Sequence, residues 1–158
     1  MKFPVTILAV CIPFLSVLAQ SSAALTGKWK VIGVDDGVYH NYLDNTNTVH
    51  EEFAKSYTGK ADSALAIAMF TQFAERYNDY FFVFMKDGKF REIQNGKVRN
   101  ELSTYRVDTL QKLILVDSHQ KENQAEGKIR FEFKDQHLQL TLPAPSGEEM
   151  IILLDKTN

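Results

Sequence analysis

KIRFEFKDQHLQLTL, residues 128–142, alternates polar and apolar residues on both sides of a two-residue break. Ile129, Phe131 and Phe133 fall on one face, as do Leu138, Leu140 and Leu142. Lys128, Arg130, Glu132, Gln139 and Thr141 fall on the other. A period of two marks a strand with one buried face, because successive side chains leave a strand on opposite sides. Asp135-Gln136 is turn chemistry, so the stretch predicts two consecutive antiparallel strands, Lys128–Lys134 and His137–Leu142.

The same pattern extends in both directions. Between Tyr80 and the end of the chain, further strands are predicted at Tyr80–Met85, Lys89–Gln94, Lys97–Val107, Lys112–Asp117 and Glu149–Leu154. Asp87-Gly88, Asn95-Gly96, the polar stretch Ser118–Gly127 and Pro143–Gly147 separate them. Asp-Gly and Asn-Gly are strong hairpin signals, since the primed turns need positive φ. An earlier strand, Leu25–Val34, places Trp29, Val31 and Gly33 on one side and Lys28 and Lys30 on the other, and Asp35-Asp36-Gly37 ends it. Eight short strands with one apolar face must close on themselves or pack on something else. The expected fold is mainly β, an eight-stranded antiparallel up-and-down barrel. Its interior is just wide enough for side chains or one small ligand.

Residues 48–78 follow a helical period instead. Thr48-Val49-His50-Glu51 has capping-box spacing, Val49, Phe53 and Tyr57 recur every four residues, and Gly59 is a suitable stop. A second helix, capped by Asp62 or Ser63, carries Ala66, Phe70, Phe73 and Tyr77 on one stripe, widened by Leu65, Met69 and Ala74. The expectation is a helical hairpin inserted between strands 1 and 2.

The chain has 158 residues, 44% hydrophobic and 24% charged, with a net charge of −2. That composition is globular, and the slight acidity argues against a nucleic-acid partner. Met1-Lys2 followed by the uncharged, apolar Phe3–Ala19 reads as a secretory signal cut after Val17-Leu18-Ala19, with Ser22-Ala23-Ala24 as a second cut. Pro4, Pro13 and Ser16 interrupt a run already short for a membrane span, so no stable span is expected after cleavage. The expected organisation is a signal peptide at 1–19 and one barrel domain at 20–158. Cys11, the only cysteine, falls inside the signal and reads as an apolar filler. A cysteine-free mature domain fits a bacterial periplasmic or exported protein.

Leu25-Thr26-Gly27-Lys28-Trp29-Lys30-Val31 and Phe84-Met85-Lys86-Asp87-Gly88-Lys89-Phe90 resemble the Gly-x-Trp first strand and an Asp-Gly hairpin of bacterial lipocalin-like proteins of the calycin type. The resemblance spans about Leu25 to Lys156 and implies an eight-stranded barrel holding an apolar small molecule. Lipocalins pack an arginine of the last strand over the first-strand tryptophan, and here Lys156 stands near that place. The helical insertion resembles the fatty-acid-binding branch of the superfamily, which holds a carboxylate with a late Arg-x-Tyr pair. Glu149–Asn158 has neither arginine nor tyrosine, so that anchor is missing.

No metal or catalytic constellation emerges. Asp35, Asp36, His40, Asp44, His50, Glu51 and Glu52 lack zinc and calcium-loop spacings and read as a solvated acidic turn. There is no Gly-x-Ser-x-Gly, and His40, His50, His119 and His137 have no recognisable catalytic context. The expected function is non-enzymatic binding of a small hydrophobic molecule in the barrel lumen, without a cofactor. Phe70, Phe73 and Tyr77 on the second helix would form a lid over it. Phe82, Phe84, Phe131 and Phe133 would line it, and Arg106, sharing a face with Asn100 and Thr104, would supply polar contact. The alternatives are a protein-binding or inhibitor barrel with a filled core, and an open cone-shaped α+β domain with its pocket between helix and sheet.

Overall fold

A computed structural model describes residues 23–56, 60–99, 103–118, 127–143 and 149–157. The expected signal segment, Tyr57, Gly59, Asn100 and the Pro143–Gly147 turn beyond its first residue lie outside them. Eleven strands are described: β1 (Gly27–Asp35), β2 (Val38–Asn41), β3 (Thr46–Val49), β4 (Tyr80–Phe84), β5 (Lys89–Gln94), β6 (Lys97–Val98), β7 (Ser103–Asp108), β8 (Leu113–Ser118), β9 (Gly127–Lys134), β10 (His137–Pro143) and β11 (Glu149–Thr157). Between β3 and β4 lie α1 (Glu51–Ser56), α2 (Lys60–Ala74) and a 3-10 turn, Glu75–Tyr77.

Eight strands close a barrel in the order β1-β4-β5-β7-β8-β9-β10-β11, and β11 pairs back onto β1, antiparallel throughout. The seam runs from Lys28 opposite Thr157 to Asp35 opposite Ile151. Closure rules out the open cone-shaped sheet. The alternation expected at residues 128–142 holds in the structure: Leu138 faces Phe133 and Leu140 faces Phe131, with both leucines fully buried. Asn95 and Gly96 take φ of 50° and 71°, the primed-turn geometry expected of Asn-Gly.

Two expectations about strands are corrected. In β1 the register slips between Val31 and Gly33, so Ile32 is a bulge residue. A bulge adds one residue to one strand and inverts the alternation beyond it. Val34, opposite the fully buried Ile152, therefore faces inward in place of Gly33. Gly33 lies on the outer face, where a Cβ would meet Tyr39 Oη at 2.6 Å. The predicted strand Lys97–Val107 is two strands, because β6 pairs with Ile93 and Gln94 while β7 pairs with Lys89 and Phe90. Both use the same edge of β5.

The insertion also differs from expectation. Beyond the bulge, the edge of β1 that served β4 at residues 27–30 serves β2 at residues 33–35, and β3 continues outward. Thr48 does not cap a helix, because it pairs with Tyr39 in this ribbon and the helix begins at Glu51. α2 packs against β2, and its backbone is tied there by Tyr42, whose hydroxyl donates to Ala74 O. α2 is already helical at Lys60, ahead of the expected cap. Its buried stripe holds Phe70 and Ala74 with Ile67, Phe73 and Tyr77 at its margin, while Leu65 and Met69 stand 62% and 64% exposed. The inserted unit is a β-ribbon followed by helices.

The barrel end where β1 begins is plugged. Residues 23–25 form a helical turn, and Trp29 Nε1 donates to Leu25 O at 2.7 Å with both side chains buried. Lys156 Nζ stands 5.2 Å from the Trp29 ring centroid and donates to Ala24 O at 3.2 Å. Gly27 makes room for that arm: its φ is +139°, and a Cβ there would lie 2.9 Å from Lys156 Cε. The glycine of Gly-x-Trp thus has a backbone cause, since few other residues adopt that φ.

Candidate functional site

The opposite end, where β1 finishes, is covered by α2 and the Glu75–Tyr77 turn. Gln94 Nε2 donates to Arg76 O at 2.6 Å, and Asn95 N donates to Asp79 O at 3.2 Å, which fixes the turn over β5. A chain of ring contacts descends from there into the barrel. Phe73 to Tyr77 is 5.7 Å between centroids, Tyr77 to Tyr80 5.4 Å, and Tyr80 to Phe82 5.4 Å. It continues through Phe90 and Phe84 to Tyr105, with spacings of 6.0, 5.1 and 5.2 Å. Such spacings suit offset and edge-to-face contacts.

Polar groups interrupt this apolar interior at one level. In antiparallel pairs, directly opposed residues share a face. Glu92 is opposite Phe82 and two residues from Phe90, both buried, so its side chain stands on the inner wall. Tyr80 Oη donates to Glu92 Oε2 at 2.9 Å. Burial pushes the Glu92 carboxyl above its usual range, against the opposing effects of the Tyr80 hydrogen bond and the Arg99 charge. Burial likewise raises the hydroxyls of Tyr80 and Tyr77, and the Glu92 charge adds to both. Ser103, opposite Phe90 on the same wall, is 1% exposed, and its hydroxyl has no hydrogen-bond partner among the described residues.

The raised pKa makes a signed prediction. A carboxyl that holds its proton more tightly when folded lets the native state bind more protons than the unfolded chain. Its contribution to stability is therefore present at low pH and declines as pH rises from the ordinary glutamate value through the folded one. Glu92→Gln removes that decline and still accepts from Tyr80. The difference in unfolding free energy, variant minus wild type, is expected to grow from pH 4 to pH 7 in urea titrations. A difference that stays flat would place the carboxyl in water.

The residues singled out from the sequence do not all converge. Phe70, Phe73, Tyr77 and Phe82 belong to the helix-covered end or to the ring chain leading from it, and Phe84 lies deeper on that chain. Phe131 is buried in the wall made by β9 and β10. Phe133, though on the inner face, sits at the plugged end 6.0 Å from the Trp29 ring and is 40% exposed. Arg106 is opposite Leu115 on the outer face and exposed, since Tyr105 and Val107 take the inner positions of β7. Tyr80, Glu92 and Ser103 were missed. The signal for Glu92 was present: pairing Phe84 with Phe90 through Asp87-Gly88 brings Phe82 opposite Glu92.

A concavity lies outside the barrel, where the turn after β1 meets α1 and the start of β11. This cleft of about 330 Å³ is lined by Asp35, Gly37, His50, Glu52, Phe53, Ser56, Glu149 and Ile151. His50 Nε2 lies 2.9 Å from Asp35 Oδ2, while Arg130 pairs with Glu149 through both guanidinium nitrogens at 3.3 and 3.1 Å. Ser56 Oγ donates to Phe53 O at 2.7 Å, so its hydroxyl is directed into its own helix. Among the described residues no cluster of His, Cys, Asp and Glu is arranged to hold a metal, and no helix is long and apolar enough to cross a membrane.

No family model matches the chain. No curated protein matches it either. Among solved structures it is similar to a DUF4847 family protein from Bacteroides vulgatus ATCC 8482, at 15% identity and a TM-score of 0.44, over 84% of this chain and 95% of that one.

Proposed function

We propose that the protein is an exported, lipocalin-like, non-enzymatic carrier that holds a small, largely apolar molecule in the helix-covered end of its barrel. The observation that carries this reading is the uneven burial of the inward-facing residues. Leu138, Leu140, Ile152 and Leu154 on β10 and β11 and Phe84, Phe90 and Ile114 on β4, β5 and β8 are buried, whereas the inward-facing Tyr80, Glu92 and Val116 are only half-buried. Apolar wall with a few placed polar groups is the usual make-up of a small-molecule site. The plugged far end, with Lys156 over Trp29 where lipocalins carry an arginine, is consistent with a barrel entered from the α2 side.

Val116, opposite Tyr105 and Gly127, gives the test. In a space kept for a ligand, Val116→Phe is accepted with little loss of stability and displaces the occupant. In a filled core, overpacking costs about 1–3 kcal/mol. The variant is expected to melt near wild type and to bind the apolar fluorophore N-phenyl-1-naphthylamine about tenfold more weakly, roughly 1.4 kcal/mol. Destabilisation with no fluorophore binding by either protein would contradict the carrier. One observation favours a second reading, a barrel that docks a protein partner: Leu65 and Met69, one helical turn apart on the outer face of α2, are exposed.

A further inference from the structure

Among the described residues, the inner wall at the helix-covered end carries a carboxyl and no cation. Glu92 stands among Phe82, Phe90 and Tyr80, and Tyr80 takes only Oε2, leaving a carboxylate with further acceptor sites. Ser103 adds a buried hydroxyl whose hydrogen-bonding capacity is unused among the described residues, diagonal to Glu92 on the same wall by the register Phe90 opposite Ser103. A buried polar group without a partner is costly, which makes Ser103 Oγ a group that a bound molecule can complete, while Glu92 keeps acceptor sites beyond its bond to Tyr80. Among the described residues the positive charges stand off this inner wall, although that of Arg99 reaches Glu92. Lys156 lies at the plugged end against Trp29, Arg106 is on the outer face, and Arg76 and Arg99 are exposed.

We infer that the molecule carried by this barrel presents a hydrogen-bond donor, a hydroxyl, an amide N–H or an ammonium, to Glu92 and Ser103, and that carboxylate-headed molecules of the same apolar length are rejected. The inference rests on the carrier reading and adds the head-group chemistry. A carboxylate at this level would face Glu92 with only the exposed Arg99, among the described residues, to offset the repulsion, and it has no proton to give. An alcohol or amine donates to the free acceptor sites of Glu92 and can accept from or donate to Ser103 Oγ.

Displacement of N-phenyl-1-naphthylamine by decanol, decylamine and decanoate at pH 7 tests this with chain length held constant. Decanol and decylamine are expected to displace the fluorophore at concentrations about tenfold lower than decanoate, as one unmatched buried polar or like-charge contact predicts. In Glu92→Gln that preference should shrink to about threefold or less, because the like charge is gone while Tyr80 keeps its acceptor. Thermal melts of the variant confirm that it folds, and Ser103→Ala, a smaller change at the same wall, is expected to weaken decanol alone. Equal displacement by all three would overturn the head-group inference and leave the carrier standing. Preference for decanoate would overturn it in favour of an anchor at Arg99. No fluorophore binding at all would bring down the carrier reading, and the inference with it.

Discussion

Trp29→Ala is expected to cost about 3–5 kcal/mol of unfolding free energy, the range for deleting a large buried aromatic. The site combines several losses. The indole is buried at the plugged end, its Nε1 satisfies Leu25 O, and its ring lies beneath Lys156. Without it, Leu25 O is left without that donor and the 23–25 turn loses its seat. Trp29→Phe keeps most of the apolar area and loses the donor alone, so it should cost about 1–2 kcal/mol. Trp29 is the only tryptophan. Urea titrations must therefore be followed by far-ultraviolet circular dichroism, which all three proteins share. A cost below about 1 kcal/mol for the alanine variant would mean the plug is not packed as described.

Leu154→Ala is expected to cost about 2–5 kcal/mol, by the transfer and cavity terms of a fully buried leucine. Its position makes the result specific to closure. Leu154 is opposite Val31 across the β1–β11 seam and opposite Leu138 across β10–β11, so it joins the two strands that convert a sheet into a barrel. Hydrogen exchange should show the loss concentrated in the backbone amides of β1 and β11. A barrel opened at the seam exposes two edges, and unpaired edges aggregate. If protection falls equally in β4 and β5, the seam is not a local closing contact and the strands unfold as one unit.

The barrel was legible because its determinants are local. Alternation at residues 128–142, Asp87-Gly88, Asn95-Gly96 and the run of short strands identify the barrel strands from the sequence alone. The features that were not legible depend on pairings that a local residue pattern does not specify. The Ile32 bulge follows from the way β11 and β2 share β1, which no window around Ile32 contains. The ribbon of β2 and β3 is built from VYHN and TNTV, too short and polar to separate from loop by periodicity. Thr48 met a capping pattern that the pairing with Tyr39 overrode. α2 illustrates the limit of a helical stripe. Leu65 and Met69 fit the apolar pattern as well as Ala74, and only the position of β2 decides which side is covered.

The polar level inside the barrel was hidden for a similar reason. In the expected strand Arg106 shares a face with Asn100, Thr104, Val98 and Leu102, but the register of β7 turns it outward. Glu92 was passed over because KFREIQ alternates poorly, with Ile93 on the outer side and Glu92 and Gln94 on the inner. A carboxyl facing a core breaks binary patterning, and such breaks concentrate where a protein binds something. The acidic turn after β1 shows the converse. Asp35 and His50 come together at 2.9 Å across 15 residues, in an outer cleft rather than in the barrel.

The carrier reading stands or falls on whether the barrel is occupied when the protein is taken from the cell. Native mass spectrometry of the protein, expressed from the full chain and purified without detergent, reads this directly. The predicted result is a reproducible added mass of one small molecule per chain, lost on denaturation and absent from Val116→Phe. Bare protein that remains bare after incubation with a mixed lipid extract would contradict it and turn attention to the exposed face of α2.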